Sequence, residues 1–200
     1  GRAYLRQSLQ RWGEGHRANW LRNAERNLTR PMFSANVPQR VAMPDEEQTV
    51  ELQQLRNVQS LTMRIFRTSL KGDTDLNPND SKEYAKIKSG MKELTDLART
   101  LNFGAHPDYE VYKDSVILPG LPAGVYLLEF ATQPQTEVVR SLYFVSGLRI
   151  MMEAMPQDQV RYVVVDARTG QPVSNATLRL FYRAGWKKPK KTEDVVCNTT

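Results

Sequence analysis

Residues 118–145 (LPGLPAGVYLLEFATQPQTEVVRSLYFV) constrain the fold more strongly than any other part of the chain. Two apolar runs, 125–131 and 138–145, flank the polar residues 132–137. β-Branched and aromatic residues bounded by turn formers are typical of paired strands, so this stretch predicts a β-hairpin. The residues before it, 119–124 (PGLPAG), predict a rigid double turn, because proline fixes φ and glycine adopts conformations that other residues avoid.

The length and composition suit one or two soluble globular domains, since the 200 residues include 40% hydrophobic and 25% charged residues. No apolar run approaches the roughly 18 residues of a membrane-spanning helix, and no segment resembles a signal peptide. The chain opens at Gly1 and stops just after an apolar run that ends at Cys197, so we expect a segment of a longer protein. Cys197 is the only cysteine, which leaves it no partner for a disulfide within the chain.

The positive charge is concentrated near the N-terminus. Residues 1–40 hold eight arginines, no lysine and two glutamates, which accounts for the whole net charge of +6. A solvated helix face is the plainer interpretation of these arginines. Contact with nucleic acid or with anionic lipid is the alternative.

Apolar residues recur at helical spacing in 2–12 and again in 17–28, and Pro31 ends the second run. These residues predict a short helical hairpin. The prolines within 31–44 predict an extended connector. Residues 1–47 therefore form the first predicted region, a helical hairpin and a connector.

Residues 48–146 predict an antiparallel β-sandwich. Residues 57–68 and 109–118 have strand-like composition and precede the hairpin. Because side chains alternate along a strand, one set of residues is expected to face the core. That set comprises Leu61, Met63, Ile65, Val125, Leu127 and Tyr143.

Residues 81–100 predict an amphipathic helix inserted into this sandwich. Asp80 or Ser81 is the expected N-cap. Apolar side chains then recur at spacings of three and four from Tyr84 to Leu101. We expect the helix to cover the sandwich with one apolar face, formed by Ile87, Met91, Leu94 and Leu97.

Residues 147–200 predict the first part of a second sandwich. The expected strands occupy 148–152, 159–166 and 177–182, with a fourth that starts at 195 and a turn at 169–172. An immunoglobulin-like sandwich needs about seven strands. An incomplete sandwich exposes apolar sheet surface, so we expect self-association through residues 147–200.

The sequence predicts no catalytic, cofactor-binding or metal-ligating residue. Neither His16 nor His106 has a neighbouring acid or nucleophile of the kind that a catalytic triad requires. No glycine-rich turn matches a phosphate-binding or dinucleotide-binding motif. We therefore expect a protein that is not an enzyme and carries no cofactor.

The loop at 71–80 has one feature of a calcium site. It alternates Asp73, Asp75, Asn77 and Asn79, as the first ligands of a calcium loop do. The positions that the calcium-loop template gives to glycine and glutamate hold Pro78 and Tyr84 instead. Turn chemistry accounts for the same composition.

Two motifs resemble the macroglobulin-like domains of the alpha-2-macroglobulin family. One is LPAGVY at 121–126, and the other is VVVDARTGQPV at 163–173, which precedes the strand expected near 177–182. LRNV at 55–58 resembles the start of the second strand of such a domain, where a backbone-bonded asparagine precedes an apolar run. The resemblance covers roughly 48–200. It implies a mainly β protein with helical additions, built from immunoglobulin-like antiparallel β-sandwiches.

The resemblance also implies a function. Members of the family trap proteases: the protease cuts a bait segment, and many members expose a thioester from a Cys-Gly-Glu-Gln type motif. Neither feature is identifiable in this sequence, so the implied role is a non-catalytic scaffold segment of a bacterial endopeptidase inhibitor.

The implied partners are target proteases and neighbouring macroglobulin-like domains, with no nucleic acid. The implied location is extracytoplasmic, in the periplasm or on the outer surface, with a membrane anchor in the complete protein left open. The alternative is an extracellular immunoglobulin-like binding or adhesion module.

Overall fold

The computed structural model describes residues 2–12, 18–72, 74–157, 159–182 and 191–197. Most of these residues form antiparallel β-sheets, and the described helices are few and short. The chain divides into two compact units. The first unit comprises residues 1–40, 47–119 and 124–144, and the second comprises 41–46, 120–123 and 145–200.

The first unit contains two sheets. One sheet has the strand order β1-β2-β6, where β1 is Met32–Asn36, β2 is Gln48–Arg56 and β6 is Tyr112–Leu118. The other sheet has the order β4-β3-β7-β8, with β5 also paired to β3. Its strands are β3 (Ser60–Arg67), β4 (Lys92–Glu93), β5 (Arg99–Asn102), β7 (Gly124–Thr132) and β8 (Val138–Val145). The predicted hairpin is confirmed as β7 and β8.

A β-bulge in β2 keeps its apolar side chains on one face. Leu52 pairs with Asp114 and Leu55 with Tyr112, so three steps on β2 oppose two on β6. Gln54 has a left-handed φ of 54° at this point. Because the extra residue shifts the alternation by one position, Leu55 is fully buried like Leu52. Both sheets thus have a buried apolar row, as in a β-sandwich.

Strand β7 is buried on both faces, which corrects one prediction. All six side chains expected to face inward are buried: Leu61, Met63, Ile65, Val125, Leu127 and Tyr143. They do not all lie on the same face of the sheet, however. Met63 pairs with Phe130 and Phe66 pairs with Leu127. Directly paired residues share a face of the sheet, so Leu127 and its neighbour Val125 lie opposite to Met63.

The predicted helix over 81–100 is wrong in length. Helix α3 spans Ser81–Lys88, with the Asp80 side chain accepting hydrogen bonds from the backbone N–H groups of Lys82 (2.9 Å) and Glu83 (3.0 Å). Beyond it lie β4, one turn of 3-10 helix at Thr95–Leu97, and β5.

The helix ends because of local packing and competition with the sheet. Gly90, a poor helix former, lies just past the last turn, and a Cβ there would lie 2.0 Å from the Ser69 hydroxyl oxygen and 2.9 Å from the Ser69 Cβ, so Ser69 would have to shift to admit a side chain. Leu94 N–H then donates to the Ile65 carbonyl at 2.8 Å, and the chain joins the edge of the sheet at β3. The apolar spacing beyond Ile87 therefore arises from strands and a turn.

Helices α1 (Arg2–Trp12) and α2 (Ala18–Thr29) form the predicted helical segments. Ala18 is their one buried residue. The following connector differs from the prediction, because its residues Met32–Asn36 form β1 and pair with β2. A sheet strand thus lies within the region 1–47 that was predicted to precede the sandwich.

The second unit contains two antiparallel strand pairs among its described residues. Strand β9 (Leu148–Met155) pairs with β10 (Gln159–Asp166), and β11 (Ala176–Tyr182) pairs with β12 (Lys191–Cys197). β12 begins earlier than the predicted 195. The sequence also predicts that the basic run 186–191 (WKKPKK) lies at a hairpin tip, and all of this run except Lys191 lies outside the described residues.

Candidate functional site

The structure locates some of the residues that the sequence singled out. His16 and Asp73 lie outside the described residues, as does the side chain of Cys197. The ring of His106 stacks on the ring of Tyr112, with 3.6 Å between centroids and 10° between planes. This contact was not foreseen, because His106 was considered only as a catalytic residue.

The loop at 71–80 uses its polar groups to hold its own shape. The Asn77 side chain accepts a hydrogen bond from Asn79 N–H (2.9 Å), and the Glu83 carboxylate accepts one from Asn77 N–H (2.5 Å). The Asn79 side chain bonds to both backbone groups of Arg140 on β8, at 2.8 and 2.9 Å. Among the described residues there is no cluster of three histidine, cysteine or acidic side chains that could hold a metal ion.

The best candidate for a functional site is a cleft in the first unit with a volume of about 420 Å³. It lies between the β2–β3 turn, the loop that precedes β6, and the turn between β7 and β8. Its polar lining is formed by Asn57, Gln59, His106, Asp108, Glu110 and Gln133.

Asn57 organises one wall of this cleft. Its φ is +54°, and its side-chain N–H₂ donates to the carbonyls of Leu28 (2.7 Å) and Arg30 (3.3 Å). Its side-chain oxygen accepts a hydrogen bond from Tyr109 N–H at 3.2 Å. Tyr109 also has a left-handed φ of 68°, and its hydroxyl accepts a hydrogen bond from Arg2 (2.7 Å). Two residues in a sparsely populated conformation thus stand side by side, an arrangement that the surrounding contacts must enforce.

The stacked rings of Tyr112 and His106 also line the cleft. The Tyr112 hydroxyl donates to the Val58 carbonyl, and the Phe103 ring meets the Tyr112 ring edge-on at 6.0 Å. Burial raises the pKa of the Tyr112 hydroxyl, and the nearby Asp114 carboxylate raises it further. Both effects favour the neutral hydroxyl, which is the form that donates the hydrogen bond to the Val58 carbonyl.

The cleft has a polar lining suited to hydrogen bonding. Its twelve lining residues include no serine, threonine, cysteine or lysine. The lining offers amide groups, carboxylates and one imidazole, which can hydrogen-bond a polar ligand or an extended segment. The sequence did not reveal this site, because its walls come from three separate segments of the chain, within 57–59, 104–112 and 133–134.

A buried ion pair lies elsewhere in the first unit, under α3. Glu129 on β7 is 5% exposed, and its carboxylate lies 2.7 Å from Arg140 Nε and 3.9 Å from Arg64 Nη1. The Arg140 guanidinium also sits over the Tyr84 ring of α3, at 3.9 Å from its centroid. Glu129 is on the same face as Leu127, so the ion pair and the Tyr84 ring of α3 lie on the second face of β7. The signal in the sequence was a single glutamate in the middle of an apolar run.

No helix in the described part of the chain is long and apolar enough to cross a membrane. A scan against protein-family models and a search of curated proteins both found no match to this chain.

Proposed function

We propose that this chain is a non-catalytic scaffold segment of an alpha-2-macroglobulin-like protein that traps proteases. In this proposal the first unit is a macroglobulin-like, immunoglobulin-like sandwich, and the second unit is the beginning of another. The scaffold holds the protease-trapping parts of a longer protein in place.

The observation that carries the proposal is the bonding of Asn57. The family resemblance implies an asparagine that bonds to backbone groups just before an apolar strand. Asn57 bonds to three backbone groups, and β3 with its buried Leu61 and Met63 follows it. The polar side chain serves to fix the backbone rather than to perform chemistry, as expected of a scaffold.

The turn in the second unit gives further support. The Asp166 carboxylate accepts hydrogen bonds from the backbone N–H groups of Arg168 (3.0 Å) and Thr169 (2.7 Å), and from the Thr169 hydroxyl (2.9 Å). Gly170 follows with a left-handed φ of 72°. Four of the five residues of the DARTG motif that resembles the family, Asp166, Arg168, Thr169 and Gly170, thus have a conformational role at the turn.

The proposed partners follow from the same assignment. They are target proteases, engaged through the longer protein, and neighbouring macroglobulin-like domains, in an extracytoplasmic location. Self-association through residues 147–200 is also proposed. Its support is the exposure of apolar side chains on β9, where Ile150, Met151 and Met152 are all exposed.

The proposal is tested by incubating a protease with the longer protein and, separately, with the 200-residue chain. A trap shields the protease from large substrates while short peptides still reach its active site. We expect the longer protein to suppress cleavage of a folded protein substrate far more than cleavage of a short peptide, and the chain alone to suppress neither. Equal suppression of both substrates by the longer protein, or inhibition by the chain alone, would contradict the proposal.

The second candidate is an extracellular immunoglobulin-like binding or adhesion module. The cleft of about 420 Å³ beside Asn57 and Tyr112 is the observation that favours it. If this module binds a ligand there, Gln59→Ala and Asp108→Ala would abolish binding without changing the melting temperature. A scaffold would tolerate the same changes without any functional loss.

A further inference from the structure

Large aromatic side chains are exposed on both α1 and α2. Tyr4 is 76% exposed, Trp12 60% and Trp20 70%. These rings are not needed for packing within the hairpin, because the half-buried positions are taken by leucines such as Leu5 and Leu21. Tryptophan combines an apolar ring with an N–H donor, which suits a boundary between water and an apolar phase.

The two helices are also positively charged, and neither carries an exposed acid. The two helices contain five arginines and one glutamate, which gives a net charge of 5 − 1 = +4. The single acid, Glu25, is only partly exposed and is used within the hairpin, at 3.2 Å from Arg6 Nε and 3.7 Å from Arg2 Nε. Arg11 and Arg26 are exposed and form no ion pair with any described residue.

We propose that this surface, the arginine–tryptophan face, docks on an anionic phospholipid bilayer. The name covers the exposed residues Tyr4, Arg11, Trp12, Trp20 and Arg26 of the two helices. Its indole rings lie among the lipid headgroups, where tryptophan is enriched in membrane proteins. Its guanidinium groups hydrogen-bond to lipid phosphates in a bidentate manner.

The pattern favours lipid over nucleic acid. Proteins that bind single strands place their aromatic rings in a charged groove, where successive bases stack. Here the rings lie on the outer surfaces of two helices, together with arginine and without lysine. Arginine near an anionic surface contributes about 1 kcal/mol, which is about a fivefold change in partitioning for each residue.

The test is cosedimentation of the whole chain with vesicles. One set contains equal parts of phosphatidylglycerol and phosphatidylcholine, and the other contains phosphatidylcholine alone. We expect binding to the first set only, weakening steeply as salt is added, because screening shortens the reach of exposed charges. In a Trp186→Phe background, the emission of Trp12 and Trp20 is expected to shift to the blue on binding.

Variants distinguish membrane binding through the arginine–tryptophan face from binding through positive charge elsewhere on the chain. Arg11→Gln/Arg26→Gln is expected to lower the partition coefficient about 25-fold, from about fivefold per arginine. Trp12→Ser/Trp20→Ser should remove the blue shift and weaken binding. The matched control, Lys82→Gln/Lys86→Gln, removes two exposed charges from α3 and should change little. The proposal fails if the control loses as much binding as the arginine variant, if phosphatidylglycerol vesicles are not bound, or if a single-stranded oligonucleotide is bound more tightly than the vesicles.

Discussion

Replacing Arg140 with methionine is expected to destabilise the first unit strongly. Arg140 lies 2.7 Å from a Glu129 carboxylate whose side chain is 6% exposed, and the substitution leaves that carboxylate buried. Breaking a buried ion pair by removing one partner costs about 3–5 kcal/mol. Arg64 lies 3.9 Å from the other carboxylate oxygen and is 44% exposed, so it compensates only in part. We therefore expect Arg140→Met to lower the free energy of unfolding by about 3 kcal/mol, the lower end of that range.

The assay is urea unfolding together with thermal unfolding of the 200-residue chain. A loss of about 3 kcal/mol corresponds to about 6–12 °C in melting temperature for a protein of this size. The double variant Glu129→Leu/Arg140→Met removes both charges, so we expect it to recover most of the loss, to within about 1 kcal/mol of the wild type.

The matched control is Arg6→Met, which breaks an exposed ion pair in the same unit. Arg6 is 59% exposed and lies 3.2 Å from Glu25. Surface pairs contribute about 0–1 kcal/mol, so the control should stay close to wild type. The reasoning would be refuted if Arg140→Met cost no more than Arg6→Met, or if the double variant were less stable than Arg140→Met.

Three further predictions concern backbone and turn positions. Gly120→Ala is expected to lower the melting temperature sharply, because its Cβ would lie 2.4 Å from the Asp45 backbone, whereas Gly104→Ala meets no atom within 4 Å and should be neutral. Asn57→Ala should cost about 2–3 kcal/mol in urea unfolding, since it removes three hydrogen bonds and strains a left-handed position, while Asn57→Gly should lose only the bonds. Hydrogen bonds from Thr169 and Arg168 lower the pKa of Asp166. The ionised carboxylate therefore stabilises the turn at pH values above the ordinary aspartate pKa of about 3.9. This stabilisation is lost as the pH falls through the lowered pKa. NMR amide exchange at the turn should follow this pH dependence in the wild type and not in Asp166→Asn.

The sequence predicted the hairpin well because its signals were local. The turn formers before β7 and the apolar runs of β7 and β8 lie within one short stretch, so their pairing did not depend on distant residues. The faces of β7 could not be predicted in the same way. Nearly every residue of β7 is buried, and a continuous apolar run has no alternation from which to assign a face. Only the pairing of Met63 with Phe130 settles it.

The length of α3 and the position of the cleft could not be predicted from the sequence, for different reasons. Beyond Lys88 the apolar spacing still fitted a helix, but the edge of β3 offered Leu94 a backbone partner that the sequence does not reveal. The cleft depends on long-range contacts, such as Asn57 with Tyr109 and Arg2 with Tyr109. No local pattern in the sequence brings such residues together.

The most direct test of the scaffold assignment is a comparison of two rates for a protease mixed with the longer protein. One rate is the cleavage of a folded protein substrate, and the other is the cleavage of a short peptide. The account predicts that the wild type lowers the ratio of protein cleavage to peptide cleavage below that of the free protease. Arg140→Met is expected to restore the free-protease ratio at temperatures where its own first unit is unfolded and that of the wild type is folded. A ratio that stays unchanged with the wild type, or one that falls equally for Arg140→Met at those temperatures, would contradict a scaffold role in protease trapping.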